Sequence, residues 1–161
     1  MKLVLEARSR TLVVTRGAYS SPDLAAAIRR GHPSQQLIVL LAEPCAAPTE
    51  FQNAEVVVVK DASPAEQVRL VTQTFARAKE LEAILLVDSL SRVALSFNRL
   101  LEDPTEWVVS GIEPRRLEPL RQLMRAGTTV AIVEVDAASR TSQIIHELFK
   151  PLASSELTWS A

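Results

Sequence analysis

Apolar residues in this chain come in short dense runs, separated by stretches in which they recur every three or four positions. The runs are Thr11–Thr15, Gln36–Ala42, Glu55–Lys60, Ile84–Val87, Thr128–Val135 and Glu156–Ser160. Most are near-continuous Val, Ile and Leu without strict alternation, the pattern of strands buried on both faces of a parallel sheet. Between them the spacing turns helical. Ser21 and Pro22 suit an N-cap and first turn, and the helix they open runs to about Arg30, where Gly31 and Pro33 stop it. Ser63-Pro64-Ala65-Glu66 reads as a capping box for a helix over Pro64–Glu82, with Val68, Val71, Phe75, Ala78 and Leu81 on one face. A third helix follows over Leu90–Leu101, with Val93, Ala94, Phe97, Leu100 and Leu101 on its apolar face. A fourth is expected from Glu113-Pro114 to Gly127, and a fifth over Thr141–Lys150, stopped by Pro151. The stretches 43–48, 102–111 and 136–140 read as loops. Strand and helix alternate nearly throughout, which predicts an α/β fold: a mainly parallel sheet with helices on both faces, as a single domain over 1–161.

Composition narrows the functions open to such a fold. With 161 residues the chain can bury a sizeable core without covalent staples. The formal net charge is −1, so no overall basic field points to nucleic acid. The lone Cys45 excludes an internal disulfide and a multi-cysteine zinc site, and His32 and His146 fit no metal spacing, so no metal is expected. No apolar run is long enough to span a bilayer and no signal peptide opens the chain, so a cytoplasmic location away from membranes is expected.

The candidate chemistry gathers at Ile84-Leu85-Leu86-Val87-Asp88-Ser89-Leu90-Ser91-Arg92. Here an apolar strand runs into an acid. Ligands of open α/β sheets bind beyond the carboxyl ends of strands, and a P-loop NTPase holds its Mg²⁺ on such an aspartate. A strand ending in Asp-Ser is equally an ordinary start for the next helix. Tyr19, Trp107 and Trp159 are single aromatics read as core or turn packing, with Trp107 in a loop where it could anchor a partner.

Ile84 to Ala94 followed by Phe97-Asn98 resembles the Walker B strand and succeeding helix of the ATPase domain of transcription termination factor Rho, a RecA-type helicase. Asp61-Ala62-Ser63-Pro64 and Ala76-Arg77-Ala78-Lys79 fit the family's turn and helix before that strand. Ser110-Gly111-Ile112-Glu113 resembles an altered form of its pore loop, and Glu147–Lys150 with Glu156–Ser160 its closing segment. The likeness extends over about Leu12 to Ala161. It implies a RecA-like fold, a link to transcription, ATP with Mg²⁺, and RNA near Arg115, Arg116 and Arg140, the last standing where Rho carries a lysine in its RNA-contacting loop.

The departures lie in the machinery. The phosphate loop needs Gly-Lys-Thr on a glycine-rich turn. The matching interval, Thr15-Arg16-Gly17-Ala18-Tyr19-Ser20-Ser21-Pro22, has one glycine and no lysine. Glu43 stands where Rho carries a catalytic glutamate, but Pro44 replaces the arginine after it. The chain ends before the position of the family's arginine finger, and the amino-terminal RNA-binding OB domain is expected to be missing. Phosphoryl transfer rests on positioning and charge stabilisation, so these losses predict no catalysis and no bound cofactor. Arg16, Gly17, Ser20, Ser21, Asp88 and Ser89 are then remnants of a nucleotide pocket, Glu43 and Asp88 remnants of its catalytic pair. Asp88 is expected to cap the following helix or to accept a backbone N–H across the old pocket. The leading expectation is a P-loop-deficient binding or regulatory domain that meets a protein partner or itself. The alternatives are an unusual RNA-binding ATPase of the transcription-termination type using Glu43 and Asp88, and a nucleic-acid module using Arg115, Arg116 and Arg140.

Overall fold

The structure is a computed structural model that describes residues 1–16, 19–42, 48–59, 63–100, 111–135 and 140–159. Glu43, Cys45, Trp107 and Gly17 lie outside the described residues. Six parallel strands form one sheet: β1 (Arg10–Thr15), β2 (Leu37–Leu41), β3 (Glu55–Val58), β4 (Ile84–Asp88), β5 (Thr129–Val135) and β6 (Ser155–Trp159), in the order β3-β2-β4-β5-β1-β6. Every side chain of β2 and β4 is buried, as expected for strands covered on both faces.

The helices divide unequally between the two faces. α1 (Ser21–Gly31) covers one face together with Leu5 and Phe51, against Val13, Val39, Leu86 and Val133. α2 (Pro64–Glu80), α3 (Leu90–Leu100), α4 (Glu118–Met124) and α5 (Arg140–Phe149) cover the other, where Phe75, Phe97, Met124 and Phe149 meet Leu85, Val87 and Ile132. Burying a side chain such as Phe97 stabilises by roughly 1.5–3 kcal/mol.

Local sequence accounts for most of these elements, and several features differ from expectation. The N-cap of α1 is Ser20, whose side chain accepts the Asp23 N–H at 3.3 Å; Ser21 is the first helical residue and its hydroxyl is directed elsewhere. The stretch expected as one helix from Glu113 to Gly127 is split into a 3₁₀ turn over Pro114–Leu117 and the shorter α4. Pro119 explains the split: it has no N–H to give to a helix already under way, but it fits the first turn of a new one. Leu81 and Leu100, expected on buried faces, are 41% and 40% exposed, because they lie at helix ends past the packed neighbours. The capping box at Ser63 is half formed. Ser63 Oγ accepts the Glu66 N–H at 3.2 Å, while the Glu66 carboxylate turns outward to Arg69.

Before β1, the N-terminal segment lies along the end of α1. Leu3 donates its N–H to the Ala27 carbonyl (2.9 Å), and Leu5 donates to His32 Nε2 (2.8 Å). Gly31 permits this approach: a Cβ there would stand 2.0 Å from the Leu3 carbonyl oxygen. Among the described residues, no helix is long and apolar enough to cross a membrane.

Candidate functional site

β4 places Asp88 at the carboxyl end of the sheet, in register with Leu41 of β2 and Val133 of β5. The backbone there is tied to its neighbour, since Ala42 donates its N–H to the Asp88 carbonyl at 2.6 Å; the Asp88–Ser89 peptide is cis. The side chain is fully buried. Alternation along β4 points Leu86 and Asp88 to the α1 face, and Leu85 and Val87 to the other.

What Asp88 meets on that face comes from the segment after β1. Two strand spacings, roughly 10 Å, separate β4 from β1 because β5 lies between them. The chain from β1 to α1 bridges this gap. Tyr19 donates its phenolic O–H to Asp88 Oδ1 at 2.6 Å, and Ser21 donates its hydroxyl to Asp88 Oδ2. Short O–H···O⁻ bonds of this kind are the stronger class of hydrogen bond. Both carboxylate oxygens are therefore engaged by hydroxyls on either side of the α1 cap. These two bonds come from side-chain hydroxyls rather than from the backbone. Tyr19, expected to serve only packing, packs against the α1-side core and also carries one of the two bonds.

The remaining residues read from sequence separate into distinct places. Arg16 is exposed at the end of β1, and Ser20 is occupied as the cap of α1. Ser89 is buried between β4 and α3, where its carbonyl accepts the Val93 N–H at 3.2 Å. Arg115 is exposed and bonds Glu113 at 2.9 Å. The Arg116 side chain, by contrast, is 4% exposed and lies 4.0 Å from Glu113, so its guanidinium does not face solvent. Arg140 is exposed at the first position of α5. Arg115 and Arg116 follow the Glu113 segment, which Asn98 Oδ1 fastens to α3 by accepting the Glu113 N–H at 3.0 Å.

One buried acid went unread. Glu134, one residue beyond the partner of Asp88 on β5, is 2% exposed and faces the opposite side of the sheet. Ser91, in the first turn of α3, donates to both of its oxygens at 2.8 and 3.1 Å, and Ser142 of α5 lies 3.4 Å from the Ser91 hydroxyl. The signal was present as a charge inside an otherwise apolar strand. Among the described residues, no three His, Cys, Asp or Glu side chains converge as a metal site would need.

With this geometry in view, comparison with known proteins is informative. No family model matches the chain. Curated relatives are transcription termination factors Rho. That of Pseudomonas fluorescens biotype C is 28% identical over 154 residues, covering 84% of this chain and 37% of the relative. That of Chromobacterium violaceum is 29% identical over 153 residues, covering 83% and 37%. That of Thermotoga maritima is 27% identical over 157 residues, covering 86% and 37%. The chain thus spans little more than a third of the length of the relatives it matches. Among solved structures, an ATPase of the type III secretion system of pathogenic bacteria superposes with a TM-score of 0.73 at 15% identity, over 94% of this chain and 51% of that one. The ATP synthase subunit NeqB of Nanoarcheaum equitans superposes with a TM-score of 0.67 at 14% identity, over 97% and 46%. The fold is that of RecA-like ATPase domains, and the sequence is similar to Rho.

Proposed function

We propose that this chain is a Rho-like, RecA-fold domain that acts by binding and does not hydrolyse ATP. One observation carries the reading: both oxygens of the buried Asp88 carboxylate are held by the hydroxyls of Tyr19 and Ser21. In P-loop NTPases the loop Ser/Thr and the Walker B aspartate share Mg²⁺. Here the same two residue types, Ser21 and Asp88, are bonded directly to each other. If Ser21 fills the hydroxyl position of Gly-Lys-Ser/Thr, then Ser20 stands where the lysine belongs and Tyr19 where the glycine belongs. Ser20 is used as a helix cap and cannot neutralise a phosphate. The Tyr19 side chain reaches the aspartate, in a position where the motif keeps glycine so that phosphate can approach the backbone. The three departures act together: they turn a site for a charged, metal-bound ligand into an internal hydrogen-bonded junction.

In this reading the framework is kept for its surface, and the partner is a protein or a second copy of the chain, with a role connected to transcription through the likeness to Rho. The experiment is a phosphate-release assay on the full chain, alone and with RNA, comparing wild type with Asp88→Asn. The expected result is the same background rate for both proteins. Release above background that disappears in Asp88→Asn would favour instead an ATPase using Asp88 and Glu43.

A further inference from the structure

At the amino-terminal ends of the strands, the opposite pole from Asp88, lies a cavity of about 610 Å³. Four separate segments enclose it: the stretch before β1, the turn after α1, the α2–β4 turn and the α4–β5 turn. Its volume falls within the range of small-molecule pockets, roughly 300–1,000 Å³. The walls are fastened to one another. Arg8 donates its N–H to Thr129 Oγ1 at 2.7 Å, and Gln35 Nε2 donates to the Glu82 carbonyl at 3.2 Å. Three wall residues, Arg8 (φ 59°), Glu82 (φ 52°) and Gly127 (φ 83°), hold the left-handed backbone conformation. For Arg8 and Glu82 it is one that residues with a Cβ rarely adopt. The cavity is therefore preformed by tied, sharply turned backbone.

Its chemistry is unbalanced. Arg8 and Lys79 bring two positive charges to the wall and Glu82 one negative. None of the three has an ion-pair partner among the described residues, whereas Arg69, Arg77, Arg115, Arg121 and Arg125 each pair with a glutamate. The Thr128 side chain lies in the same wall, 3% exposed, and its hydroxyl has no hydrogen-bond partner among the described residues. Buried polar groups are nearly always bonded, so this hydroxyl is an exception, and it is itself sealed beneath the wall. Ala7 and Ala126 supply small apolar surface beside it.

We infer that this cavity binds a small organic anion. A single carboxylate or phosphate meets Arg8 and Lys79, and a compact apolar body rests on Ala7 and Ala126. Glu82 opposes excess negative charge and so favours a monoanion. The site rests on no property of the Asp88 pole and stands whether or not nucleotide binds there.

The test is an amide NMR titration of the full chain at constant ionic strength, which removes general charge screening as a variable. The probes are sodium benzoate, phenyl phosphate and the neutral benzyl alcohol; the two anions separate carboxylate from phosphate as the recognised group. The expected result is saturable shifts at Arg8, Glu82, Gly127 and Thr129 with at least one anion, and at least tenfold weaker binding of the alcohol. Arg8→Gln with Lys79→Gln should weaken that anion at least tenfold, and Glu82→Gln should tighten it severalfold. All three side chains are exposed, so the amide spectrum of each variant will verify the unchanged fold. The proposal is overturned if neither anion saturates, if the alcohol binds as tightly as the anions, or if the Arg8/Lys79 variant binds like wild type.

Discussion

Asp88 is the last residue of β4 and Glu134 the last but one of β5; the two stand one residue out of register on neighbouring strands, both are buried, and they have opposite surroundings. Asp88 faces α1 and is held by Tyr19 and Ser21, from the segment that follows β1. Glu134 faces α3 and α5 and is held by Ser91 at the start of α3. Each carboxylate joins its strand to the first turn of a helix through side-chain hydroxyls. The difference lies in the face and the partners: Asp88 is tied to the segment that leads into α1, and Glu134 to the helix that follows β4. A buried acid at a strand end is therefore a poor indicator of catalysis by itself. The groups that satisfy it decide what it does, and here both acids are satisfied from within the chain.

Removing each acid sets the scale of the comparison. Asp88→Ala strands two hydroxyls, one of them on the buried Ser21, although it also relieves the cost of burying a charge. The expected net loss is about 2–4 kcal/mol in urea unfolding. Glu134→Ala leaves the half-buried Ser91 without this acceptor, and the expected loss is about 1–2 kcal/mol. If Asp88→Ala were as stable as wild type, the junction between β4 and α1 would contribute nothing and the comparison would collapse.

A double-mutant cycle sharpens the same point at smaller magnitude. Tyr19→Phe and Asp88→Ala remove two ends of one bond, so their effects should depart from additivity by about 1 kcal/mol. Tyr19→Phe and Glu134→Gln act on opposite faces of the sheet and should add to within about 0.5 kcal/mol. Equal coupling in both cycles would mean that the two acids belong to one network across the sheet.

The smallest effect comes from an acid that is not buried. The hydrogen bond from Arg69 holds the Glu66 carboxyl below its ordinary value, with their mutual attraction adding to it. A depressed folded-state value means that this pair stabilises above the unfolded carboxyl value and ceases to do so as the pH falls through the folded one. Wild type and Glu66→Gln should therefore differ slightly near neutrality and converge in acid, as read from urea midpoints between pH 7 and 3. Because both groups are exposed, the difference should be far smaller than that for either buried acid.

The sheet was legible because its strands are dense apolar runs with clear breakers between them, and the Asp88 strand stood out because a charge ends such a run. Glu134 was not legible. Its charge falls within a strand rather than after one, and its partner Ser91 lies 43 residues away in the sequence. The shift of the cap from Ser21 to Ser20 has a similar origin: either serine suits a cap, and the choice is made by Asp88, far along the chain. The break in the fourth helix is marked in the sequence by Pro119, inside the span that Glu113-Pro114 and Gly127 bracket. Arg116 shows the same weakness for charge. An arginine beside another on a polar stretch reads as surface, yet packing of the 3₁₀ turn encloses it. Sequence reports local preference well, and long-range polar satisfaction poorly.

The central claim, that hydroxyls have taken over the acid a nucleotide site would use for its metal, is tested most directly by calorimetric titration of the full chain with ATP and Mg²⁺. The account predicts no saturable binding up to millimolar nucleotide. Micromolar affinity that requires Mg²⁺ and is lost in Asp88→Asn would contradict it.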